Sequence, residues 1–442
     1  MGINENRIIN NFKIEVNKMK RITLLIIPTL TCGIVFNSCD SGGNIVDTEN
    51  IHLMCARPIS FIEDSKVLLK WGPSMIPYIL LPYEIAEPDK IDIYISENVK
   101  SNFKKIADLE NGGDFSYTVD KLLNGKPYYF YLVSKKIGFS PLNSDTIMVV
   151  PNKKKEFEIL QTCEESHMSR LSNVSLAKQK NKIAYVDRFY SWNGGTNCCM
   201  SVSVLISNID GTEKELVEIN SNSPSWSPEN DKIAFHFDAI QNVGWIPAQI
   251  ALYDCETKSV TQITHDDFYN YSPVFSDNGE LLLFQSSRNT LGTYETNIWL
   301  MNLKTNDLFQ ITDISQSSLT TVERPCWIDN DRFLFHGVSL DGDYKLFESS
   351  ISKKQINKLF DSQWNDYIPS ISPDDKRVAF ISNRSGTNQV WIYHFDRKTY
   401  SQITGYSMHE SVEHTWNKIE WIDKTTILFT LNDNQLIKQK IE

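Results

Sequence analysis

One motif recurs along the last two thirds of the chain and limits the possible folds more than any other feature. Its clearest copy runs from Ile368 to Gly386 and reads IPSISPDDKRVAFISNRSG. A small or apolar residue, a Ser-Pro-Asp turn and a β-rich run with an aromatic residue predict two antiparallel strands joined tightly. Because one such unit cannot bury both of its faces, the copies are expected to pack against one another.

The copies recur at a spacing typical of propeller blades. The residues that align with Ile371 are Leu176, Trp226, Phe275, Trp327, Ile371 and Trp421. The separations are therefore 50, 49, 52, 44 and 50 residues, which is the length of a four-stranded blade. Two further strand patterns follow the motif in several copies, and the last of them closes on Gln-Ile-Thr at 262–264, 310–312 and 402–404. We predict an all-β fold with a six-bladed propeller over residues 155–442.

The two ends of the propeller region are expected to share one blade. After Phe429 the chain has room for a third strand at 435–440 but for no fourth strand. Residues 156–162, ahead of the first copy, alternate apolar and polar side chains and have no partner of their own. We predict that this strand completes the last blade, which would leave no open edge in the ring.

The turn sequences resemble the TolB-type propeller repeat of bacterial envelope proteins. The resemblance rests on Ser227-Pro228-Glu229, on Ser276-Asp277-Asn278-Gly279 and on Ser372-Pro373-Asp374-Asp375, and it covers roughly residues 155–442. Membership of this type implies six blades and a protein-binding scaffold more often than a catalyst. It also implies that the partners are proteins of the cell envelope.

Residues 53–151 predict a small β-sandwich ahead of the propeller. Short strand-like runs at 67–71, 91–95, 115–119 and 128–133 are separated by Gly, Asn and Pro turns. Trp71 and the run Leu122-Leu123-Asn124-Gly125-Lys126-Pro127-Tyr128 resemble a fibronectin type III domain. The resemblance implies that Tyr128 is a corner tyrosine whose hydroxyl bonds back to the preceding turn.

The first 52 residues predict export and lipid anchoring. Met19-Lys20-Arg21 precedes about fifteen mostly apolar residues, which is typical of a secretory signal over residues 1–38, with Met19 as a possible true start. Ser38-Cys39 and the polar residues after it resemble a bacterial lipobox, so Cys39 is predicted to be lipidated and 39–52 to form a linker. The alternative is cleavage without lipidation. Both interpretations place the protein in the bacterial cell envelope, facing the periplasm or the surface, and the lipid would be its only contact with the membrane.

The charge balance argues against nucleic acid as a partner. The chain has 44 basic and 55 acidic residues, which gives a net charge of −11. Nucleic acid and anionic lipid surfaces attract proteins with a positive field.

No feature of the sequence assigns a catalytic residue or a cofactor. The chain has no Gly-x-Ser-x-Gly elbow. His236, Gln285 and His336 each follow a closing aromatic residue, and His and Gln can ligate a transition metal. Some pectate-degrading propeller lyases resemble this use of His and Gln around manganese, which makes a metal-dependent, lyase-like enzyme the alternative to a scaffold. The competing interpretation is that the three side chains are packed between blades.

Aromatic residues in irregular loops are the candidates for binding. They are Trp192, Trp245, Tyr269 and Trp364. Loop aromatics anchor protein partners in buried contacts, and they also stack on sugars, so a surface glycan-binding protein is a further alternative. The other interpretation is that these side chains cap the seams between blades.

Overall fold

The computed structural model describes most of the chain beyond residue 50. The described residues are 51–53, 56, 58–71, 84–110, 116–153, 157–162, 170–177, 179, 181–192, 198–238, 240–241, 244–245, 247–290, 295–406, 417–432 and 434–441. The predicted signal segment and Cys39 lie outside these ranges. No described helix has the length and apolar character that crossing a membrane takes.

The described part of residues 51–153, the N-terminal module, consists of strands in three sheets. These strands are β1 (Ile51–Leu53), β2 (Ile59–Glu63), β3 (Lys66–Lys70), β4 (Glu84–Ala86), β5 (Lys90–Glu97), β6 (Lys104–Glu110), β7 (Ser116–Val119), β8 (Tyr128–Lys135), β9 (Leu142–Asn143) and β10 (Ile147–Val149). One sheet has the order β2-β3-β7, a second has the order β10-β8-β5-β6 with β9 beside β8, and β1 pairs with β4. The first two sheets bury a shared apolar core that includes Trp71, Phe130 and Leu132.

The rest of the described chain forms six four-stranded antiparallel sheets, which we interpret as six blades. Blade one has β12 (Arg170–Ala177), β13 (Lys182–Trp192), β14 (Cys198–Asn208) and β15 (Glu215–Ile219). Blade two has β16 (Ser221–Trp226), β17 (Lys232–Phe237), β20 (Gln249–Asp254) and β21 (Ser259–Gln262), with a hairpin of β18 (Ile240–Gln241) and β19 (Gly244–Trp245) between its middle strands. Blade three has β22 (Asn270–Phe275), β23 (Leu281–Ser286), β24 (Asn297–Asn302) and β25 (Leu308–Gln310).

The last three blades follow the same order. Blade four has β26 (Leu319–Trp327), β27 (Arg332–Ser339), β28 (Tyr344–Ser350) and β29 (Asn357–Lys358), preceded by a 3₁₀ turn at Ile314–Gln316. Blade five has β30 (Asp366–Ile371), β31 (Arg377–Ser382), β32 (Gln389–His394) and β33 (Thr399–Gln402). Blade six has β34 (Glu420–Asp423), β35 (Thr426–Leu431), β36 (Gln435–Lys440) and β11 (Phe157–Thr162).

The first strand of each blade is the innermost, and these inner strands contact one another around a closed circuit. Each inner strand contacts the next, and β12 of blade one also contacts β34 of blade six. In blade six, β11 runs antiparallel to β36, with Phe157 opposite Gln439 and Thr162 opposite Gln435. The all-β prediction and the prediction of a propeller are confirmed. The two ends of the propeller thus pair as the sequence predicts.

The residues that make the repeat visible in the sequence form the core between the blades. The closing aromatics Tyr185, Phe235, Phe284, Phe335, Phe380 and Phe429 are all buried. Two anchor tryptophans also join neighbouring blades through their indole N–H groups. Trp327 donates to the Val274 carbonyl at 3.1 Å, and Trp421 donates to the Ser370 carbonyl at 3.0 Å. The aromatic pattern is therefore a consequence of packing between blades.

The N-terminal module is docked on blade five. Ser60 N–H donates to the Ser385 carbonyl at 3.1 Å, and Ile62 N–H donates to the Gly405 carbonyl at 2.9 Å. Gly386 has a φ of +94°, and a Cβ at this position would lie 2.4 Å from the Pro58 carbonyl oxygen. Glycine is therefore required here by both the backbone conformation and the close approach of the module.

Candidate functional site

A funnel of about 420 Å³ lies at the centre of the propeller. Its wall is formed by the inner strands of all six blades, and it opens among the turns that join the first two strands of each blade. In blades two and five these turns carry the Ser-Pro motif, as Ser227-Pro228 and Ser372-Pro373. The repeat therefore places six copies of one structural position around a single concave surface.

The funnel narrows at a set of backbone bulges with an uncommon conformation. One residue of the inner strand in each of blades one to five has a positive φ, between 47° and 55°, and the ladder shifts its register there. These bulge residues are Asn173, Ser223, Ser272, Arg324 and Ile368. A β-branched side chain such as that of Ile368 is rarely found at positive φ. Strained positions of this kind cluster at sites of function.

Polar side chains accept hydrogen bonds from the backbone N–H groups that these bulges turn out of the sheet. Gln285 Oε1 accepts from Arg324 N at 3.1 Å, and His336 Nδ1 accepts from Ile368 N at 3.4 Å. In blade two the neighbouring Asn222 Oδ1 accepts from Ser223 N at 2.7 Å. Gln285 and His336 are therefore used to support the bulge of the following blade. A buried amide without a partner costs about 1–3 kcal/mol, which explains polar residues at an otherwise apolar position.

Arg324 carries a positive charge across the narrow part of the funnel. Its guanidinium Nη1 donates to Asn173 Oδ1 at 3.1 Å and lies 3.4 Å from Ser223 Oγ. The side chain thus connects blade four with blades one and two. Burial lowers the pKa of Arg324, and the neighbouring Glu323 acts in the opposite direction. The guanidinium nevertheless stays charged, because arginine does not lose its proton in proteins.

Acidic side chains stand at the mouth of the funnel. Asp277 and Asp375 are both exposed and line the opening. Neither forms an ion pair with another residue in the described part of the chain. Lys418, which also lines the funnel, pairs with Glu420 at 2.7 Å. The mouth therefore offers carboxylates to cationic or amide groups of a ligand, while the floor offers a guanidinium.

His236 occupies the position in blade two that matches Gln285 and His336. Its ring meets Tyr271 edge-on at a centroid distance of 5.1 Å, and Nδ1 has no hydrogen-bond partner among the described residues. Burial, together with the charge of Arg324, lowers the pKa of His236 from 6.5 to about 3. The imidazole is therefore neutral in the folded protein at all but strongly acid pH.

Because the pKa of His236 is lowered, we expect the folded protein to lose stability in mild acid. As the pH falls below 6.5 the unfolded chain binds a proton that the folded protein cannot bind until about pH 3. Between about pH 8 and about pH 5 the free energy of unfolding should fall by about 2 kcal/mol for this reason. His236→Gln, which copies blade three, should remove that part of the pH dependence in urea unfolding curves.

The matched control is His265→Gln, at an exposed loop position. It makes the same chemical change at a side chain that is not buried, so His236→Gln should flatten the pH dependence more than this variant does. Equal pH dependence in the wild type and in His236→Gln would contradict the prediction.

The three candidate metal ligands make different contacts within the protein. His236 packs against Tyr271, whereas Gln285 and His336 bind backbone amides. His336 Nε2 also lies 3.5 Å from Glu323 Oε2. Within the described ranges, no cluster of three or more His, Cys, Asp and Glu side chains is arranged to hold a metal ion.

The loop aromatics proposed for binding have different surroundings. The Trp364 indole N–H donates to the Thr146 carbonyl at 3.0 Å, and its ring stacks with Tyr129. Trp364 is therefore engaged by the N-terminal module. Tyr269 stacks with Tyr271 at a centroid distance of 5.9 Å. The backbones of Trp192 and Trp245 are described, but their side chains lie outside the described part.

Sequence reasoning missed Arg324 and the other bulge residues. A signal was present, because all five stand three residues before an anchor and four of the six inner strands have proline at the next position: Pro224, Pro273, Pro325 and Pro369. The direction of these side chains into one funnel depends on the bulge itself. A simple alternation of inward and outward residues would not predict it.

Comparisons with known proteins find sequence relatives that share one name. No protein-family model matches the sequence. The "Tol-Pal system protein TolB" of Francisella tularensis subsp. mediasiatica (strain FSC147) is 24% identical over 325 residues, which cover 72% of this chain and 67% of the relative. The same protein of Francisella tularensis subsp. tularensis (strain FSC 198) is 24% identical, with 72% of this chain and 66% of the relative covered. The chain thus spans about two thirds of the length of these curated relatives.

Solved structures with a similar arrangement have low sequence identity. TolB from Acinetobacter baumannii has 18% identity and a TM-score of 0.43, with 72% of this chain and 77% of that chain covered. An oligogalacturonate lyase in complex with manganese has 10% identity and a TM-score of 0.44, with 65% and 97% covered. The sequence matches show that the propeller is similar to that of TolB.

Proposed function

We propose that this chain is an exported cell-envelope protein whose propeller is a scaffold for binding other proteins. The observation that carries the proposal is the funnel, in which strained bulges of five blades and the charge of Arg324 are built into one concave surface. Such a surface suits a protein segment that enters the funnel. The sequence similarity to a Tol-Pal system protein supports partners in the cell envelope.

The mouth of the funnel indicates what the bound segment carries. Asp277 and Asp375 stand at the opening, and the Arg324 guanidinium lies at the floor. A segment with lysine, arginine or free amide N–H groups at the mouth would complement the two carboxylates. A carbonyl or carboxylate farther along the same segment would meet Arg324.

Lipid anchoring through Cys39 is the second part of the proposal. A lipid on Cys39 would hold the propeller at a membrane without a spanning helix, and residues 39–52 would serve as the linker. The lipobox resemblance supports this part. In this arrangement the funnel binds partners that share the same envelope compartment.

The N-terminal module is proposed to be a fibronectin type III-like sandwich. Its sheets β2-β3-β7 and β10-β8-β5-β6 have the crossed connectivity of a Greek key. The Tyr128 hydroxyl accepts from Leu123 N–H at 2.9 Å, as a corner tyrosine does. Because this module is docked on blade five, we expect it to position the propeller relative to the linker.

The scaffold proposal is tested by site-specific photo-cross-linking in cells of the bacterium that produces the protein. A photoreactive residue at Asp375, at the mouth of the funnel, should cross-link to an envelope protein. The matched control is Asp341, an exposed aspartate in the β27–β28 turn on the opposite face. Reversing the charge at the mouth with Asp277→Lys should reduce cross-linking at Asp375 about tenfold, because cationic groups would be repelled.

Three further measurements keep the parts of the proposal separate. The Cys39→Ser variant should leave the membrane fraction and still fold, and its retention in that fraction would contradict lipid anchoring. Equal cross-linking at Asp375 and Asp341 would contradict the funnel as the binding surface. Stoichiometric metal in the purified protein that His336→Ala removes would favour the lyase-like enzyme, and binding on a glycan array would favour a glycan-binding protein.

A further inference from the structure

Two blades contain the same buried arginine arrangement. In blade five the Arg384 guanidinium lies over the rings of Phe380, Trp391 and Trp364, at 4.9, 5.3 and 5.5 Å. In blade three the Arg288 guanidinium lies over the rings of Phe284, Trp299 and Phe268, at 5.7, 5.4 and 5.7 Å. A guanidinium held over aromatic faces gains cation–π attraction and covers the rings.

The two arrangements use matching positions of the repeat. Each arginine stands four residues after the closing aromatic, each tryptophan is the third residue of the third strand, and Trp364 and Phe268 both stand two residues before the inner strand. Arg384 Nε donates to Ser382 Oγ at 2.9 Å, and Arg288 Nη1 donates to the matching Ser286 Oγ at 2.8 Å. The similarity is therefore one of structure as well as of composition.

In blade five the N-terminal module packs on this arrangement. Met148 N–H in β10 donates to the Arg384 carbonyl at 2.6 Å. The Met148 side chain is buried in a cluster that contains Phe380 and Trp391. Trp364 is covered by Tyr129 and donates to the Thr146 carbonyl. The occupant is thus an edge strand of a β-sheet that supplies a backbone N–H group and an apolar side chain.

In blade three the described residues leave the matching surface exposed. Phe268 is 42% exposed, and Leu308 is 37% exposed at the fourth-strand position that Tyr400 holds in blade five. Asp266, which pairs with Arg288, has a side chain that is 26% exposed. Among the residues that the structure describes, none donates a backbone hydrogen bond to the Arg288 carbonyl.

We propose that this blade three platform, formed by Phe268, Arg288, Trp299 and Leu308, binds an edge β-strand of a partner protein. The strand would donate a backbone N–H to the Arg288 carbonyl and place an apolar side chain against Phe268 and Leu308. The inference rests on the same arrangement being occupied in this way in blade five. The proposed surface is separate from the funnel, so it goes beyond the scaffold function proposed above.

The probe is a synthetic peptide with the sequence of residues 144–151, which contains β10. In the full chain β10 is held on blade five at a high effective concentration, so added peptide meets an occupied site there and an open one in blade three. Binding of a fluorescent peptide to the full chain should saturate with a Kd on the order of 0.1–1 mM. Phe268→Ala and Leu308→Ala should each weaken it about tenfold, since each removes an exposed contact.

The matched control is Val260→Ala in blade two. Val260 is 39% exposed and has the same fourth-strand position opposite Tyr253 that Leu308 has opposite Met301, but blade two has no arginine at the matching position. This variant should bind the peptide as the wild type does. No saturable binding, or equal weakening in all three variants, would overturn the proposal. Concentration-dependent dimers in sedimentation that Phe268→Ala abolishes would overturn it too, by assigning the platform to a second copy of the chain.

Discussion

Replacing Asp366 with alanine should lower the free energy of unfolding by roughly 3–5 kcal/mol, the cost of leaving one member of a buried ion pair alone. Asp366 Oδ1 accepts from Arg384 Nη2 at 2.6 Å, and both side chains are fully buried. The substitution would leave the Arg384 charge inside an aromatic cluster without its counter-ion. Urea unfolding of the full chain followed by tryptophan fluorescence measures the loss.

Blade three supplies the matched control for this prediction. Asp266→Ala removes the carboxylate that pairs with Arg288, but the Asp266 side chain is 26% exposed, so water replaces part of the lost interaction. The loss there should be only about 1 kcal/mol. The double variant Asp366→Ala with Arg384→Met should recover more than half of the stability, because an apolar pair leaves no buried charge.

The Asp366 variant should also loosen the N-terminal module. The Arg384 carbonyl accepts from Met148 N–H, so a displaced arginine loop weakens the contact with β10. Limited proteolysis should then cut between the module and the propeller faster in Asp366→Ala than in Asp266→Ala. Equal losses of stability in the two single variants would show that burial of the ion pair does not set the size of the effect.

The second large effect is expected from removing the strand that joins the two ends of the propeller. A chain of residues 170–442 lacks β11 and leaves the edge of β36 unpaired, whereas a chain of residues 154–442 retains it. Both lack the N-terminal module, so the comparison isolates β11. The shorter chain should lose roughly 3–5 kcal/mol of stability, because Phe157 and Leu160 no longer pack on the blade six core.

The open edge gives this comparison a second readout. Leu436 and Ile437 in β36 are buried, and an unpaired strand that carries them is a template for pairing with another chain. The shorter chain should therefore form dimers and larger species in size-exclusion chromatography, while the longer one stays monomeric. Equal stability and equal size for the two chains would show that β11 does not complete blade six.

The two surfaces proposed to bind partners come from matching positions of the repeat. The bulge residues face one funnel because five inner strands have the same backbone irregularity. The two arginine arrangements arise in the same way, from matching positions of blades three and five. The N-terminal module packs on the arginine arrangement of blade five, whereas Phe268 and Leu308 of the blade three arrangement are exposed.

Several features were predictable from sequence because they depend on local pattern and on spacing. The anchors and closing aromatics repeat at nearly constant intervals, since every blade needs the same turn and the same buried ring. The pairing of β11 with β36 followed from counting strands, because a four-stranded unit with three strands at one end needs the fourth from the other. The hydrogen bond of Tyr128 to Leu123 N–H likewise lies within one turn of the chain.

Other features depended on contacts between residues far apart in the sequence, and only the tertiary structure decided them. Arg324 reaches Asn173 and Ser223 across the funnel, and no local pattern places these residues together. Gln285 and His336 accept hydrogen bonds from the Arg324 and Ile368 N–H groups, which are free of the strand ladder only because the next blade bulges there. Trp364 is half-buried, and the N-terminal module contacts it through the Thr146 carbonyl and the Tyr129 ring. The local sequence pattern determines the period of the repeat and the positions of the strands. The packing of distant segments determines which side chains are buried, which charges are paired and which surfaces are open to a ligand.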